Sequence, residues 1–127
     1  MTTYLKPWGL HSVIYDDIDY KVKKLWITKG NRISLQKHYK RGETWVVVRG
    51  HPKVTKGNTD ILMKPQDCIT IEKGEVHRIE AVEDNVLIIE VQHGICEEED
   101  IYRLEDDYDR VALETNPYVG IRPKEEQ

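Results

Sequence analysis

Apolar and polar residues alternate along most of this chain, in short runs that turn residues separate. Alternation with a period of two is typical of β-strands, whose successive side chains point to opposite faces. Eight such runs cover residues 20–28, 33–38, 43–49, 51–55, 59–64, 67–72, 77–82 and 86–92. Segments with glycine or asparagine, such as Lys56-Gly57-Asn58, separate the runs at hairpin spacing. The pattern predicts an all-β fold, an antiparallel sandwich or barrel.

The length of 127 residues predicts one domain, with a core at about residues 5–110 and a C-terminal extension at 111–127. The chain has no Phe, so three Trp, seven Tyr and many Val and Ile must fill the interior, which favours strands. We expect Trp26 and Trp45 in the core. Cys68 lies in an alternating apolar run and is interpreted as a small core residue.

The net charge of −4 is spread over interleaved signs without a basic block, which argues against a nucleic-acid partner. No apolar run approaches the ~20 residues that span a bilayer, and the first residues do not resemble a signal peptide. With two distant cysteines, these features predict a cytoplasmic protein without a membrane partner. The acidic run 97–100 is interpreted as a solvated turn. We expect a homodimer, because unpaired strand edges invite pairing.

Four residues have the spacing of a metal site. Gln36 and His38 share one face of a predicted strand, and Glu43 opens the next strand after a turn. His77 begins a later strand after a turn at Gly74. Taken singly, each is an ordinary polar residue, but together they bring oxygen and nitrogen donors to one small volume. Such donors suit a divalent ion, with zinc as the first expectation and manganese, cobalt, nickel or iron as alternatives.

The same spacing carries a family resemblance. The pattern Gly-X5-Gln-X-His-X4-Glu-X6-Gly at residues 30–50 resembles the first cupin motif, with Gln36 in place of the usual His. The segment 72–77 resembles the second motif. Further segments, among them 6–9, 89–94 and 100–110, run in the order seen in type II mannose-6-phosphate isomerases. The family usually has His where this chain has Thr44, and Gly where it has Asp109.

The resemblance implies a cupin fold, the jelly-roll or double-stranded β-helix, and a divalent metal held by Gln36, His38, Glu43 and His77. The chain is similar to the C-terminal isomerase domain of bifunctional mannose-1-phosphate guanylyltransferase/mannose-6-phosphate isomerases. This similarity implies interconversion of mannose 6-phosphate and fructose 6-phosphate. No segment resembles a nucleotide-binding loop, so nucleotide transfer is not carried over.

That reaction moves a proton between C1 and C2 of a sugar phosphate, so it needs a base and fixed cations. Arg103 and Lys21 match the family pattern and are expected to contact the phosphate or the reacting oxygens. The base is left open among Lys21, Glu43 and a metal-bound hydroxide. Two alternatives also stay open: a non-catalytic module that binds a sugar phosphate or nucleotide sugar, and another cupin sugar-modifying enzyme such as an epimerase.

Overall fold

The computed structural model describes residues 1–108, which form eleven β-strands in two antiparallel sheets. The strands are β1 (Thr2–Lys6), β2 (Gly9–Asp16), β3 (Tyr20–Ile27), β4 (Leu35–Lys37), β5 (Arg41–Arg49), β6 (Lys53–Lys56), β7 (Thr59–Leu62), β8 (Cys68–Ile71), β9 (His77–Glu80), β10 (Val86–Gly94) and β11 (Tyr102–Glu105). The all-β prediction is confirmed. None of the described residues belongs to a helix of the length and apolarity that crossing a membrane requires.

The larger sheet has the order β1-β2-β3-β10-β5-β8, and the smaller sheet has the order β11-β4-β9-β6-β7. After β3 the chain passes repeatedly between the two sheets, so strands that are close in sequence often lie in opposite layers. This is the jelly-roll arrangement, in which the inner faces of two sheets enclose one interior.

The interior packs apolar side chains from both sheets. Those that are almost fully buried include Ile27, Trp45, Val47, Val54, Ile71, Ile79 and Ile88. Burial of a side chain of this size contributes about 1.5–3 kcal/mol. A chain without Phe therefore obtains its core mainly from branched residues, together with Trp45 and Trp8. The expectation that Tyr also fills the interior is wrong, because the Tyr residues among positions 1–108 are exposed or only partly buried.

The inner face of the larger sheet changes from apolar to polar along its central strands. In β10, Ile88 is followed on the same face by Glu90 and Gln92. Because neighbouring strands are antiparallel, their polar ends lie side by side: Gln92 is opposite Lys21 of β3 and opposite Glu43 of β5. The interior thus has an apolar half and a polar half, and the candidate site lies in the polar half.

All eight predicted runs contain strands, with ends that differ by a few residues. Three strands were not predicted. Pro7 and Trp8 connect β1 and β2. Pro and Gly are uncommon within strands, so Pro7 and Gly9 argued against a hairpin at this position. β11 is short and mostly exposed, so it lacks the apolar alternation of a core strand.

Two expectations about the core are wrong. Trp26 is only partly buried, because it points to the outer face of β3 while Leu25 and Ile27 point inward. Cys68 is exposed, since Ile71 sets the inward phase of β8. In each case the two-residue period was right, but the sequence did not show which face was inside. Asp109 and the extension 111–127 lie outside the described residues.

Candidate metal centre

His38, Glu43 and His77 form a buried cluster whose ligand atoms all lie within 4.8 Å of one another. Each is at most 2% exposed. Glu43 comes from β5 of the larger sheet, whereas His77 opens β9 of the smaller sheet and His38 directly follows β4. The cluster therefore joins the two sheets across the polar half of the interior.

Backbone carbonyls fix both imidazoles. Nδ1 of His38 donates to the carbonyl oxygen of Asp100 at 2.6 Å, and Nδ1 of His77 donates to that of Glu75 at 2.9 Å. With the proton on Nδ1, an imidazole in its neutral form presents a lone pair at Nε2. These Nε2 atoms lie 3.2 Å and 3.7 Å from the two carboxylate oxygens of Glu43. Carbonyl-held imidazoles of this kind are typical of metal ligands.

The cluster fits a divalent cation. Within residues 1–108, the buried Nε2 of His77 makes no hydrogen bond, and an unpaired buried polar atom costs about 1–3 kcal/mol. Burial lowers the pKa of His77 to about 4, so its ring is neutral near pH 7. Arg41 donates to Glu43 Oε2 at 3.0 Å and lies 3.3 Å from His38 Nε2. Neither contact provides a hydrogen bond to His77 Nε2. A cation between the three residues would satisfy every donor atom.

The fourth predicted ligand, Gln36, lies directly opposite His77 in the pairing of β4 and β9. Its amide nitrogen donates to Ser34 Oγ at 2.7 Å, which leaves the amide oxygen as its donor to a metal. Gln36 also lines a cavity together with Glu43. It is therefore beside the cluster, on the wall where a further ligand or a substrate would approach.

A turn fixes the distance between the two histidines. Gly74 has a φ of 78°, and its N–H donates to the His38 carbonyl at 2.6 Å. That left-handed conformation favours Gly. The loop that leads into His77 is thus anchored directly on the residue that carries the other imidazole.

Cations surround the cavity beside the cluster. Arg103 is 5% exposed, lies opposite Gln36 in the pairing of β11 with β4, and lines the cavity. Lys21 is also buried, on the inner face of β3, but its neighbour Lys23 is the lysine of that strand that lines the cavity. Arg41 lines the cavity too. The fold thus places Arg103 in the wall of the cavity, whereas Lys21 lies next to that wall without lining the cavity.

Two polar residues of β10 were missed by the sequence analysis. Glu90 accepts hydrogen bonds from Trp45 Nε1 and from Gln92 Nε2, both at 3.0 Å. Burial and the charge of Glu43 raise the pKa of Glu90 to about 8. The inward phase of Ile88 is a signal that could have found both residues, since every second residue of a strand shares its face.

The interpretation of the acidic run 97–100 as a solvated turn is wrong for two of its residues. The buried carboxylate of Asp100 accepts from the backbone N–H groups of Tyr39 and Lys40, at 3.0 and 2.8 Å. Since its carbonyl also holds His38, Asp100 anchors the segment that carries this candidate ligand. Glu98 turns inward to buried lysines. The sequence carried no signal for these contacts, because the partners are about sixty or more residues away.

Thr44, which replaces the usual family His, is on the outer face of β5. Its hydroxyl lies 3.3 Å from His93 Nε2 and 3.3 Å from Thr70 Oγ1, on the exposed side of the sheet. Glu43 and Trp45, on either side of it, point inward. The departure from the family pattern is therefore separated from the metal cluster by the thickness of the sheet.

His11 lines the same cavity, and its burial makes the stability of the fold depend on pH. Burial, with the charges of Lys23 and Lys6, lowers its pKa from 6.5 to about 3, against a smaller opposing effect of Glu98. Below pH 6.5 the unfolded chain binds a proton that the folded chain does not, so stability falls as the pH falls toward 3. We expect His11 to remove about 2 kcal/mol of unfolding free energy between pH 6.5 and 5.

Urea unfolding of metal-free protein at pH 6.5 and pH 5 measures this effect. His11→Gln should lose less stability over that interval than the wild type. His51→Gln alters an exposed His paired with Asp84. Its loss of stability between pH 6.5 and pH 5 should be closer to that of the wild type. Equal losses in the wild type and His11→Gln would contradict the assignment.

The sequence matches one family of known proteins. A family model described as mannose-6-phosphate isomerase C-terminal matches residues 1–106. The xanthan biosynthesis protein XanB of Xanthomonas campestris is 38% identical over 111 residues, which cover 83% of this chain and 23% of XanB. The alginate biosynthesis protein AlgA of Pseudomonas aeruginosa is 39% identical over 113 residues, with 84% and 23% covered. The chain thus spans about a quarter of the length of these curated relatives.

Solved structures show the same fold. A cupin 2 conserved barrel domain protein from Rhodopseudomonas palustris has a TM-score of 0.64 and 16% identity, over 69% of this chain and 62% of that protein. At this identity the likeness concerns the fold alone, and it agrees with the two-sheet barrel described above. The chain therefore has the cupin fold and belongs to the mannose-6-phosphate isomerase C-terminal family.

Proposed function

We propose that this protein is a metal-dependent isomerase that interconverts mannose 6-phosphate and fructose 6-phosphate. The observation that carries the proposal is the buried cluster of His38, Glu43 and His77 beside a cavity that Arg103 and other cations line. A cation-binding cluster and fixed positive charges are what an anionic sugar phosphate and its enolisation require. The family membership supports the same reaction.

The proposed metal is zinc, held by His38, Glu43 and His77 with the Gln36 amide oxygen as the fourth ligand. Two imidazoles with two oxygen donors fit zinc, and manganese, cobalt, nickel and iron accept the same set. When bound, such an ion would stabilise the negative charge that develops on a sugar oxygen as the proton leaves carbon.

The remaining polar residues are proposed to orient the sugar phosphate. Arg103 would bind the phosphate or a reacting oxygen through paired N–H donors, and Lys21 would add charge from β3. Gln92 has a buried amide oxygen with no hydrogen-bond partner among the described residues, and it would accept a hydrogen bond from a sugar hydroxyl. Together, these polar contacts would hold one face of the sugar toward the cluster.

The proton must be carried by a group that reaches both C1 and C2 on one side of the sugar. Glu43 is committed to the metal cluster in this proposal. Lys21 therefore stays a candidate base, and Glu90 joins it because Glu90 lines the cavity beside the cluster. Separate Lys21→Met and Glu90→Gln variants distinguish the two, since only loss of the base lowers turnover while sugar-phosphate binding persists.

The test is a coupled assay of fructose 6-phosphate formation by zinc-loaded protein. Activity should disappear on chelation and return when zinc is restored. Tight binding of mannose 6-phosphate without conversion above the chelated control would instead favour the non-catalytic binding module. That alternative is retained because the chain matches only 23% of XanB and AlgA, so the activity of those whole proteins does not transfer automatically.

We also propose a homodimer that packs through the outer face of the larger sheet. Val46 and Val48 are 38% and 42% exposed there, and Trp26 lies partly buried on the same face. Val46→Lys should weaken association at least about 10-fold, because a symmetric interface would bury the new charge twice. Leu62→Lys, on β7 of the smaller sheet, is the matched control.

Sedimentation velocity over a range of concentrations measures the dimer. A wild-type protein that stays monomeric at the highest concentration would contradict the proposed dimer.

Cytoplasmic location is likewise proposed, on the ground that the two free cysteines, Cys68 and Cys96, suit a reducing compartment.

A further inference from the structure

Two buried lysines share one carboxylate at the edge of the cavity. Lys21 and Lys23, side by side on the inner face of β3, are 7% and 5% exposed. Their Nζ atoms lie 3.2 Å and 3.0 Å from the same oxygen, Oε2 of Glu98. Buried ammonium groups are costly without an anionic partner. This pair therefore needs a negative charge at that position, and Glu98 supplies it from another segment.

Glu98 is built to leave more readily than the lysines. Its side chain is 42% exposed, whereas those of Lys21 and Lys23 are 9% and 6% exposed. It lies in the connection between β10 and β11, not in a strand. The lysines are thus a fixed part of the sheet, while their counter-ion is on a loop that borders solvent.

The charge around this position favours an anion with more than one negative charge. Lys6, Arg41 and Arg103 line the same cavity as Lys23 and Glu98. Although burial alone would raise the pKa of Glu98, the Lys23 and Lys21 charges hold it below its usual range, so its carboxylate is ionised. The Glu98 carboxylate supplies one negative charge, and the exposed carboxylate of Asp16 lies farther from Lys21, at 3.9 Å. A phosphate monoester carries about −1.5 to −2 at pH 7.

We propose that Lys21 and Lys23 form a phosphate subsite that the Glu98 carboxylate covers, so that the phosphate of the sugar substrate binds there by displacing Glu98. The subsite rests on the proposed function for the identity of the sugar, but the phosphate chemistry follows from the two lysines. Glu98 acts as an internal competitor that keeps the lysines paired when substrate is absent. Arg103 is then available for the reacting end of the sugar. Because the phosphate occupies Lys21, Glu90 is the candidate base that remains.

Binding of inorganic phosphate to the full chain, measured by calorimetry with chelator present, tests the subsite without any activity. Glu98→Gln should bind phosphate about 10-fold more tightly than the wild type, because it keeps the shape and removes the competing charge. Lys23→Met should bind about 10-fold more weakly. Lys24→Met is the matched control, since Lys24 is on the outer face of β3, and it should bind as the wild type does.

A thermal scan covers the case in which a variant loses stability. Glu98→Gln removes the carboxylate that both lysines share and leaves Lys21 only its 3.9 Å contact with Asp16 among the salt bridges of the described residues, so phosphate should raise its melting temperature more than that of the wild type. Chloride at equal ionic strength should not. Equal phosphate affinity in the wild type, Glu98→Gln and Lys23→Met, or equal losses in Lys23→Met and Lys24→Met, would overturn the subsite.

Binding and turnover of the sugar phosphate distinguish the phosphate subsite from the proposed isomerase activity. Mannose 6-phosphate should compete with inorganic phosphate, and mannose should not. A wild-type protein that shows this pattern without forming fructose 6-phosphate would contradict the isomerase and leave the subsite standing. A protein that converts the sugar phosphate while Lys23→Met keeps the wild-type KM would overturn the subsite and leave the isomerase standing.

Discussion

His77→Ala is expected to lower zinc affinity by at least about 100-fold. Loss of an outer-shell partner alone typically costs 10–100-fold, and this change removes a ligand from a cluster of three buried donors. His38→Ala should have a similar effect, because its Nε2 faces the same carboxylate. The measurement is competitive titration with a chromophoric zinc chelator at pH 7, on protein that has been stripped of metal.

The matched controls are His51→Ala and His93→Ala. His51 is paired with Asp84 at the surface, and His93 lies beside Thr44 on the outer face, so both variants should bind zinc as the wild type does. Equal zinc affinity in all four variants would show that the buried cluster is not the binding site. Circular dichroism of each variant separates lost ligation from lost folding.

Arg103→Ala is expected to lower kcat/KM for mannose 6-phosphate by about 10²–10³-fold, the range that follows loss of one positioned charge stabiliser. Zinc content should not change, because the proposed partner of Arg103 is the substrate. Arg103→Lys should restore part of the rate, since it keeps the charge and loses the paired N–H donors. Steady-state kinetics with metal analysis on the same samples measure both quantities.

Arg49→Ala serves as the control, because Arg49 is exposed at the end of β5 and should leave turnover at the wild-type level. If Arg103→Ala loses zinc in proportion to activity, the residue supports the cluster and does not act toward substrate. That outcome would contradict its proposed role.

The strands near the site were predictable because local signals and burial agree there. Residues 44–48 are all β-branched or aromatic, which favours a strand, and the inward phase of Trp45 is the phase of Glu43. Gln36 and His38 follow the same two-residue rule. Family motifs added the expectation that a later strand, beginning at His77, would complete the set. In the structure, the three buried candidate ligands of the cluster come from both sheets.

What the sequence did not show depends on contacts over long distances along the chain. Asp100 holds His38 across 62 positions, and Glu98 reaches Lys23 across 75. An acidic run has the same composition whether it is solvated or anchors a ligand, so composition favoured the wrong interpretation. Trp26 shows the related limit of periodicity, because alternation fixes that residues share a face but not which face is inside.

The most direct test of the isomerase follows mannose 6-phosphate by NMR in the presence of zinc-loaded protein. We expect fructose 6-phosphate resonances to grow to an equilibrium ratio, the same ratio to be reached from fructose 6-phosphate, and His77→Ala to show no growth. Persistence of unchanged mannose 6-phosphate, with line broadening that reports binding and no product above the zinc-free control, would contradict the proposed isomerase activity.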